Sequence, residues 1–125
     1  MDFVLILEDD AYFKTDFSNI EKYSKQLDNY DMLYLSGSHL GKKEKVSANI
    51  IKIEGTYTTT GYIITENVMK YLVDNIEGYT KEIDIFYAEE IQPKFNCYCT
   101  VPHIIHQKEG YSDIQNKNVK YKLLE

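Results

Sequence analysis

Apolar and polar positions divide this chain into short, alternating segments. Phe3 to Leu7 is an unbroken apolar run, FVLIL, and the carboxylates Glu8, Asp9 and Asp10 follow at once. A continuous run without alternation predicts a strand over 3–7 buried on both faces. Ser18-Asn19-Ile20-Glu21 has capping-box spacing, and Ile20, Tyr23, Leu27 and Tyr30 recur at helical intervals. A helix over about 18–29 is expected there. Met32 to Leu35, closed by Ser36-Gly37, predicts a second strand. Residues 37–47, GSHLGKKEKVS, read as an exposed basic loop. Strands are expected at 49–53 and 62–65, on either side of the polar stretch EGTYTTTG. Thr65 stands at the N-cap of a helix over about 66–77, with Val68, Met69, Leu72, Val73 and Ile76 on one face and Gly78 as its stop. A short helix near 82–91 and an extended segment over 96–106, broken at Pro102, complete the pattern. Residues 110–125 are polar and read as a tail.

Strands alternating with helices predict an α/β fold. The less regular final third suggests additions to the sheet rather than another βαβ unit. With 125 residues the chain has room for one domain. Hydrophobic residues at 43% and charged residues at 27% allow a packed core and exclude wholesale disorder. The net charge of −6, with no arginine at all, argues against a nucleic-acid partner, because phosphate neutralisation needs a basic face. No apolar stretch reaches the ~20 residues of a membrane-spanning helix, and the acidic start lacks the basic flank of a secretory signal. Two cysteines make no disulfide framework. A reducing, cytoplasmic setting is the simplest expectation. The twelve tyrosines suit half-buried sheet positions, and they also suit stacking on sugars.

The chemistry concentrates at the acidic strand end. Open α/β sheets bind ligands at the carboxyl ends of their strands. If extended geometry persists past Leu7, Glu8 and Asp10 point to one side and Asp9 to the other. Two hard oxygen donors on one side suit Mg²⁺ or Mn²⁺, above all an ion shared with a phosphate. A receiver domain also ends its first strand in acids. It needs a phospho-acceptor Asp at the end of a later strand, where this chain has Ser36-Gly37, and a Lys ending its last strand, where Val101 precedes Pro102.

Five segments, in order, resemble glycosyltransferase family 25, the lipopolysaccharide-type and collagen-type galactosyltransferases. They are ILEDDAYF, YDMLYLSG, TTTGYIITENVMKYLV, EIDIF and VPHIIHQKEGYSDIQ, and together they span nearly the whole chain. The resemblance implies a GT-A-like sheet with flanking helices. It also implies metal-dependent, inverting transfer of a sugar, a hexose such as galactose, from a nucleotide-diphosphate donor to a glycan or hydroxyl acceptor. On this resemblance Asp10 is a direct ligand of Mn²⁺ or Mg²⁺, and Glu8 a partner to the metal, its water or the donor ribose. Asp9 is structural. His106 stands about where such enzymes add a late third ligand. Asp84 matches the family's Asp and is the first choice of base toward the acceptor hydroxyl, with Glu89 and Glu90 as rivals. Thr59, Thr60 and Gly61 would floor the acceptor site, and Ser112 and Asp113 would close it.

Enzymes of this fold carry a nucleotide-binding half ahead of the acidic triplet, on the order of a hundred residues. Here the triplet comes at the start, so the expectation includes a missing N-terminal half or a partner chain. The alternative to an enzyme is a sugar-binding or interaction module, or a subunit of a split glycosyltransferase. A different metal reading takes Cys97, Cys99, His103 and His106 as structural zinc ligands. The C-x-C spacing is tighter than usual for zinc, and the alternation in NCYCTV suits a strand with two half-buried thiols.

Overall fold

The sheet is built around two short strands whose alternate residues feed two separate cores. In this computed structural model the described residues are 2–107, together with the backbone of 110–112 and 117–119. The strands are β1 (Phe3–Leu7), β2 (Ala11–Phe13), β3 (Met32–Tyr34), β4 (Ser38–Ser47), β5 (Ile50–Tyr57), β6 (Gly61–Thr65), β7 (Cys97–Thr100), β8 (Ile105–Gln107), β9 (Gly110–Ser112) and β10 (Lys117–Val119). The helices are α1 (Asn19–Ser24), α2 (Glu66–Asn75) and α3 (Ile83–Phe86), the last running on into a π-helical turn over Tyr87–Ile91. Six strands form one mixed sheet in the order β1-β6-β3-β7-β5-β4. Only β3 and β7 are parallel within it. The expected α/β class is what forms.

Alternation across β3 and β6 sends Met32, Tyr34, Tyr62 and Ile64 to one face, where Val68 of α2 and Phe86, Tyr87 and Ile91 cover them. Leu33, Leu35 and Ile63 go to the other face, against Ile50, Ile104 and Ile105. Ile20, Tyr23 and Leu27, from α1 and the turn after it, close that side. Gln92 ties the π-helical turn to the sheet. Its Oε1 accepts from the Gly55 and Thr56 amides, and its Nε2 donates to the Tyr34 hydroxyl and the Thr56 carbonyl.

Several expectations are corrected. β1 lies at the edge of the sheet, paired antiparallel with β6 from Phe3↔Thr65 to Leu7↔Gly61. Leu5 and Ile6 reach opposite cores, but Phe3, Val4 and Leu7 are 59%, 43% and 42% exposed. An apolar run reports two apolar faces and says nothing of which strands flank it. The basic stretch expected as a loop is β4, a charged edge strand hydrogen-bonded to β5 with register shifts along its length. Solvent on its faces removes the alternation that would announce a strand, and lysines protect such an edge from further pairing. α1 is shorter than expected. Ser18 is itself helical, and the Asp16 carboxylate caps by accepting from the Ser18 amide at 2.8 Å. α2 forms as expected, yet Val73 points to solvent, and the Thr65 hydroxyl donates to the Asp31 carbonyl rather than capping the helix. Gly78 takes φ +82° after the helix, a conformation that glycine adopts freely. Within the stretch expected as a tail, β9 and β10 pair antiparallel. No helix among the described residues is long and apolar enough to cross a membrane.

Candidate functional site

The ladder between β1 and β6 continues one step past Leu7, with the Glu8 amide donating to the Thr60 carbonyl at 2.9 Å. The chain then turns, and the Ala11 amide returns to the Glu8 carbonyl at 3.1 Å. Extended geometry therefore does not persist through the acidic triplet, and pleat alternation does not set the directions of Glu8 and Asp10. Side-chain contacts set them instead. Glu8 Oε2 accepts from the Thr59 hydroxyl at 2.9 Å. Asp10 Oδ2 accepts from Gln107 Nε2 at 2.6 Å. The other oxygen, Asp10 Oδ1, is buried and has no hydrogen-bond partner among the described residues. Asp9 is exposed.

Glu8, Thr58, Thr59, Thr60, Glu82, Asp84 and Gln107 line one open depression of about 290 Å³ with Ile83. It joins four remote pieces of chain: the end of β1, the turn into β6, the start of α3 and the end of β8. Three of its side chains are carboxylates, and Asp10 stands behind Gln107. Such a lining favours a cation, or hydroxyl groups that donate to carboxylates, over a bare anion. Thr58 adds backbone strain at the rim. It holds φ +73°, a region that β-branched residues rarely enter, and its buried hydroxyl lacks a partner among the described residues. Strain of this kind costs about 1–3 kcal/mol and concentrates at functional sites. The buried Tyr62 and Tyr87 hydroxyls share a hydrogen bond of 2.9 Å. Burial pushes the Tyr62 phenol up, and the Glu8 charge adds to the shift against the lowering effect of the Tyr87 bond.

A larger hollow of about 570 Å³ lies elsewhere, between β4, β5 and the chain after Gln92, and is lined by Lys42, Lys43, Lys52 and Lys94 with Glu44 and Glu54. Its charges are mixed and surface-borne. The smaller depression holds the clustered acids, and it is there that the chemistry gathers.

The residues expected from sequence do not all meet. Glu8, Thr59, Thr60 and Asp84 share the depression, and Asp10 joins it through Gln107. Glu89 turns away to pair with Lys81 at 3.1 Å, and Glu90 pairs with Lys94 at 3.2 Å. These two stand more than a turn beyond Asp84 and do not line the depression. Gly61 is buried rather than lining the floor, because a Cβ there would press on Ile105 Cδ1 and come within 2.8 Å of Leu7 Cδ2. His106 lies in β8 opposite Tyr12, its ring 6.0 Å from the Tyr12 ring, and its neighbour Gln107 makes the contact to Asp10. Ser112 lies in β9, and Asp113 falls outside the described residues.

Of the cysteine–histidine set, Cys97 and Cys99 pack in one core with Met32 and Tyr34. Burial and then the Asp31 charge push the Cys97 thiol up to about 12. Both thiols are fully buried rather than half-buried, and neither is in a disulfide.

Sequence reading missed Thr58, Glu82 and Gln107 at this site. Gln107 was unreadable because the antiparallel pairing of β2 with β8 brings it opposite Ala11, a contact no local pattern announces. The chain matches no protein-family model, and no curated protein or solved structure matches it.

Proposed function

We propose that the depression at the end of β1 is the site of a GT-A-type glycosyltransferase resembling family 25, which moves a hexose from a nucleotide-diphosphate donor to a hydroxyl acceptor. One observation carries this reading: Glu8, Thr59, Thr60 and Asp84, which the resemblance assigns to one reaction, line one depression although up to 76 positions separate them.

The donor set suits a hard divalent cation. Asp10 has a buried oxygen without a partner among the described residues, and Glu8 offers a carboxylate two positions earlier. These two residues would hold Mn²⁺ or Mg²⁺, which when bound neutralises charge on a departing diphosphate. The chain's own groups account for the rest. Thr59 fixes the Glu8 carboxylate, and Gln107 fixes that of Asp10. Asp84 lines the same depression and accepts the proton of the acceptor hydroxyl as that oxygen attacks the anomeric carbon. The strained Thr58 and its hydroxyl offer a further polar contact to a sugar.

The test is a transfer and donor-hydrolysis assay with Mn²⁺ and a panel of nucleotide hexoses. Activity that falls at least about 100-fold in Asp84→Asn, and less than threefold in Glu89→Gln and Glu90→Gln, is expected from general-base contributions of this size. Saturable sugar binding with no turnover would instead make the chain a sugar-binding module. Absence of both would overturn the reading.

A further inference from the structure

A second constellation lies apart from the acidic depression. His39 of β4, Cys99 of β7 and His103, which follows the Val101–Pro102 peptide, each offer one ligand atom, and these atoms all lie within 4.8 Å of one another. All three residues are buried: His39 is 6% exposed, and Cys99 and His103 are fully enclosed. We propose that His39, Cys99 and His103 bind a zinc ion that clamps β4 and β7 to the segment leading into β8. This site is independent of the glycosyl-transfer reading, which rests on carboxylates.

The geometry around His39 is that of an oriented ligand. Its Nδ1 lies 2.7 Å from the Thr56 hydroxyl, while its Nε2 is buried with no hydrogen-bond partner among the described residues. Metal-binding imidazoles hold one nitrogen in such a contact and present the other to the ion. Thr56 is itself fixed, because Gln92 binds both its amide and its carbonyl. Gly37 leaves the room this needs. A Cβ there would come within 2.6 Å of Thr56 Cγ2 and 3.4 Å of His39 Cε1. The His103 ring meets the His39 ring edge-on at 6.0 Å. The Cys99 sulfur lies 3.5 Å from the Thr100 carbonyl.

One thiolate and two imidazoles select Zn²⁺ over Mg²⁺, Mn²⁺ or Ca²⁺. Zinc bonds of about 2.0–2.3 Å require ligand atoms roughly 3.3–3.8 Å apart, which side-chain rotation of under about 1 Å per ligand achieves. A fourth ligand such as water would complete the tetrahedron. Binding converts the Cys99 thiol to a thiolate, so one proton leaves the protein for each ion taken up. The set differs from the one expected in the sequence: His39, 60 positions before Cys99, replaces Cys97 and His106.

The test uses the reduced, metal-free full chain. Zn²⁺ is expected to bind at one per chain after desalting and to raise the melting temperature. Co²⁺ in its place is expected to give tetrahedral visible bands and near-ultraviolet thiolate-to-cobalt absorption. Cys99→Ser and His39→Gln are expected to weaken Zn²⁺ binding at least about 100-fold, Thr56→Val about 10-fold through lost orientation, and Cys97→Ser not at all. Wild-type protein that is folded by circular dichroism but shows no thiolate-to-cobalt band overturns the proposal, whether or not the variants fold. So does Zn²⁺ binding that Cys99→Ser leaves unchanged.

Discussion

The Thr59 hydroxyl donates to Glu8 Oε2 at 2.9 Å, joining the end of the first strand to the turn that leads into β6. This contact aims the first acid of the triplet across the depression that Asp84 also lines. Without it Glu8 is an exposed glutamate with several rotamers. Thr59→Val keeps the shape and removes the donor. The expected cost is about 1 kcal/mol in urea unfolding, with weaker divalent-cation binding. An unchanged cation affinity would show that Thr59 does not orient Glu8.

Gln107 holds Asp10, its Nε2 donating to Asp10 Oδ2 at 2.6 Å. Gln107→Ala leaves both oxygens of a half-buried carboxylate without a partner among the described residues, where the structure leaves one. A loss of about 1–3 kcal/mol in stability is expected, recovered in part when Mn²⁺ is added. A rise in melting temperature with Mn²⁺ that is smaller than the parent's separates a positioning role from simple packing, because a packing role leaves the ion's affinity and its stabilisation unchanged.

Gly61 is required by packing. A methyl group at this position meets Ile105 and Leu7. Gly61→Ala is expected to lower stability by about 1–3 kcal/mol, as overpacking does in closed cores. An unchanged melting temperature would show that the ends of the Ile105 and Leu7 side chains can both yield.

Cys97 is expected to be inert in the folded chain. Its thiol, pushed up to about 12 chiefly by burial, is almost wholly protonated at pH 8. Alkylation by iodoacetamide at pH 8 is expected to be about a thousandfold slower in the native protein than in urea, read by peptide mass mapping. Comparable rates would show that the β7 face opens readily.

Much of the architecture is legible in the chain. FVLIL, the run at Met32–Tyr34 and the Val68-Met69-Leu72-Ile76 face all become the elements that their periodicity predicts. Order within the sheet is not legible, because β1 and β3 look alike in sequence while one is an edge and the other central. β4 escapes detection because an edge strand solvated on its faces carries charge at successive positions. At the site, Glu8 and Asp84 stand out as acids next to recognisable elements. Gln107 and His39 do not, since each acquires its neighbours only through long-range pairing of β8 with β2 and of β4 with β5. Likewise the turn at Glu8–Ala11 breaks an alternation that the sequence alone would continue.

A divalent-cation site at Glu8 and Asp10 is the central claim, and direct titration of Mn²⁺ tests it most plainly. Free Mn²⁺ followed by electron paramagnetic resonance, with the chain in excess, is expected to show one saturable site that Mg²⁺ displaces. Asp10→Asn and Glu8→Gln are each expected to weaken it at least about 10-fold, with Asp9→Asn within about twofold of the parent. Mn²⁺ that stays free at every protein concentration, or binding that Asp10→Asn leaves intact, would contradict the assignment.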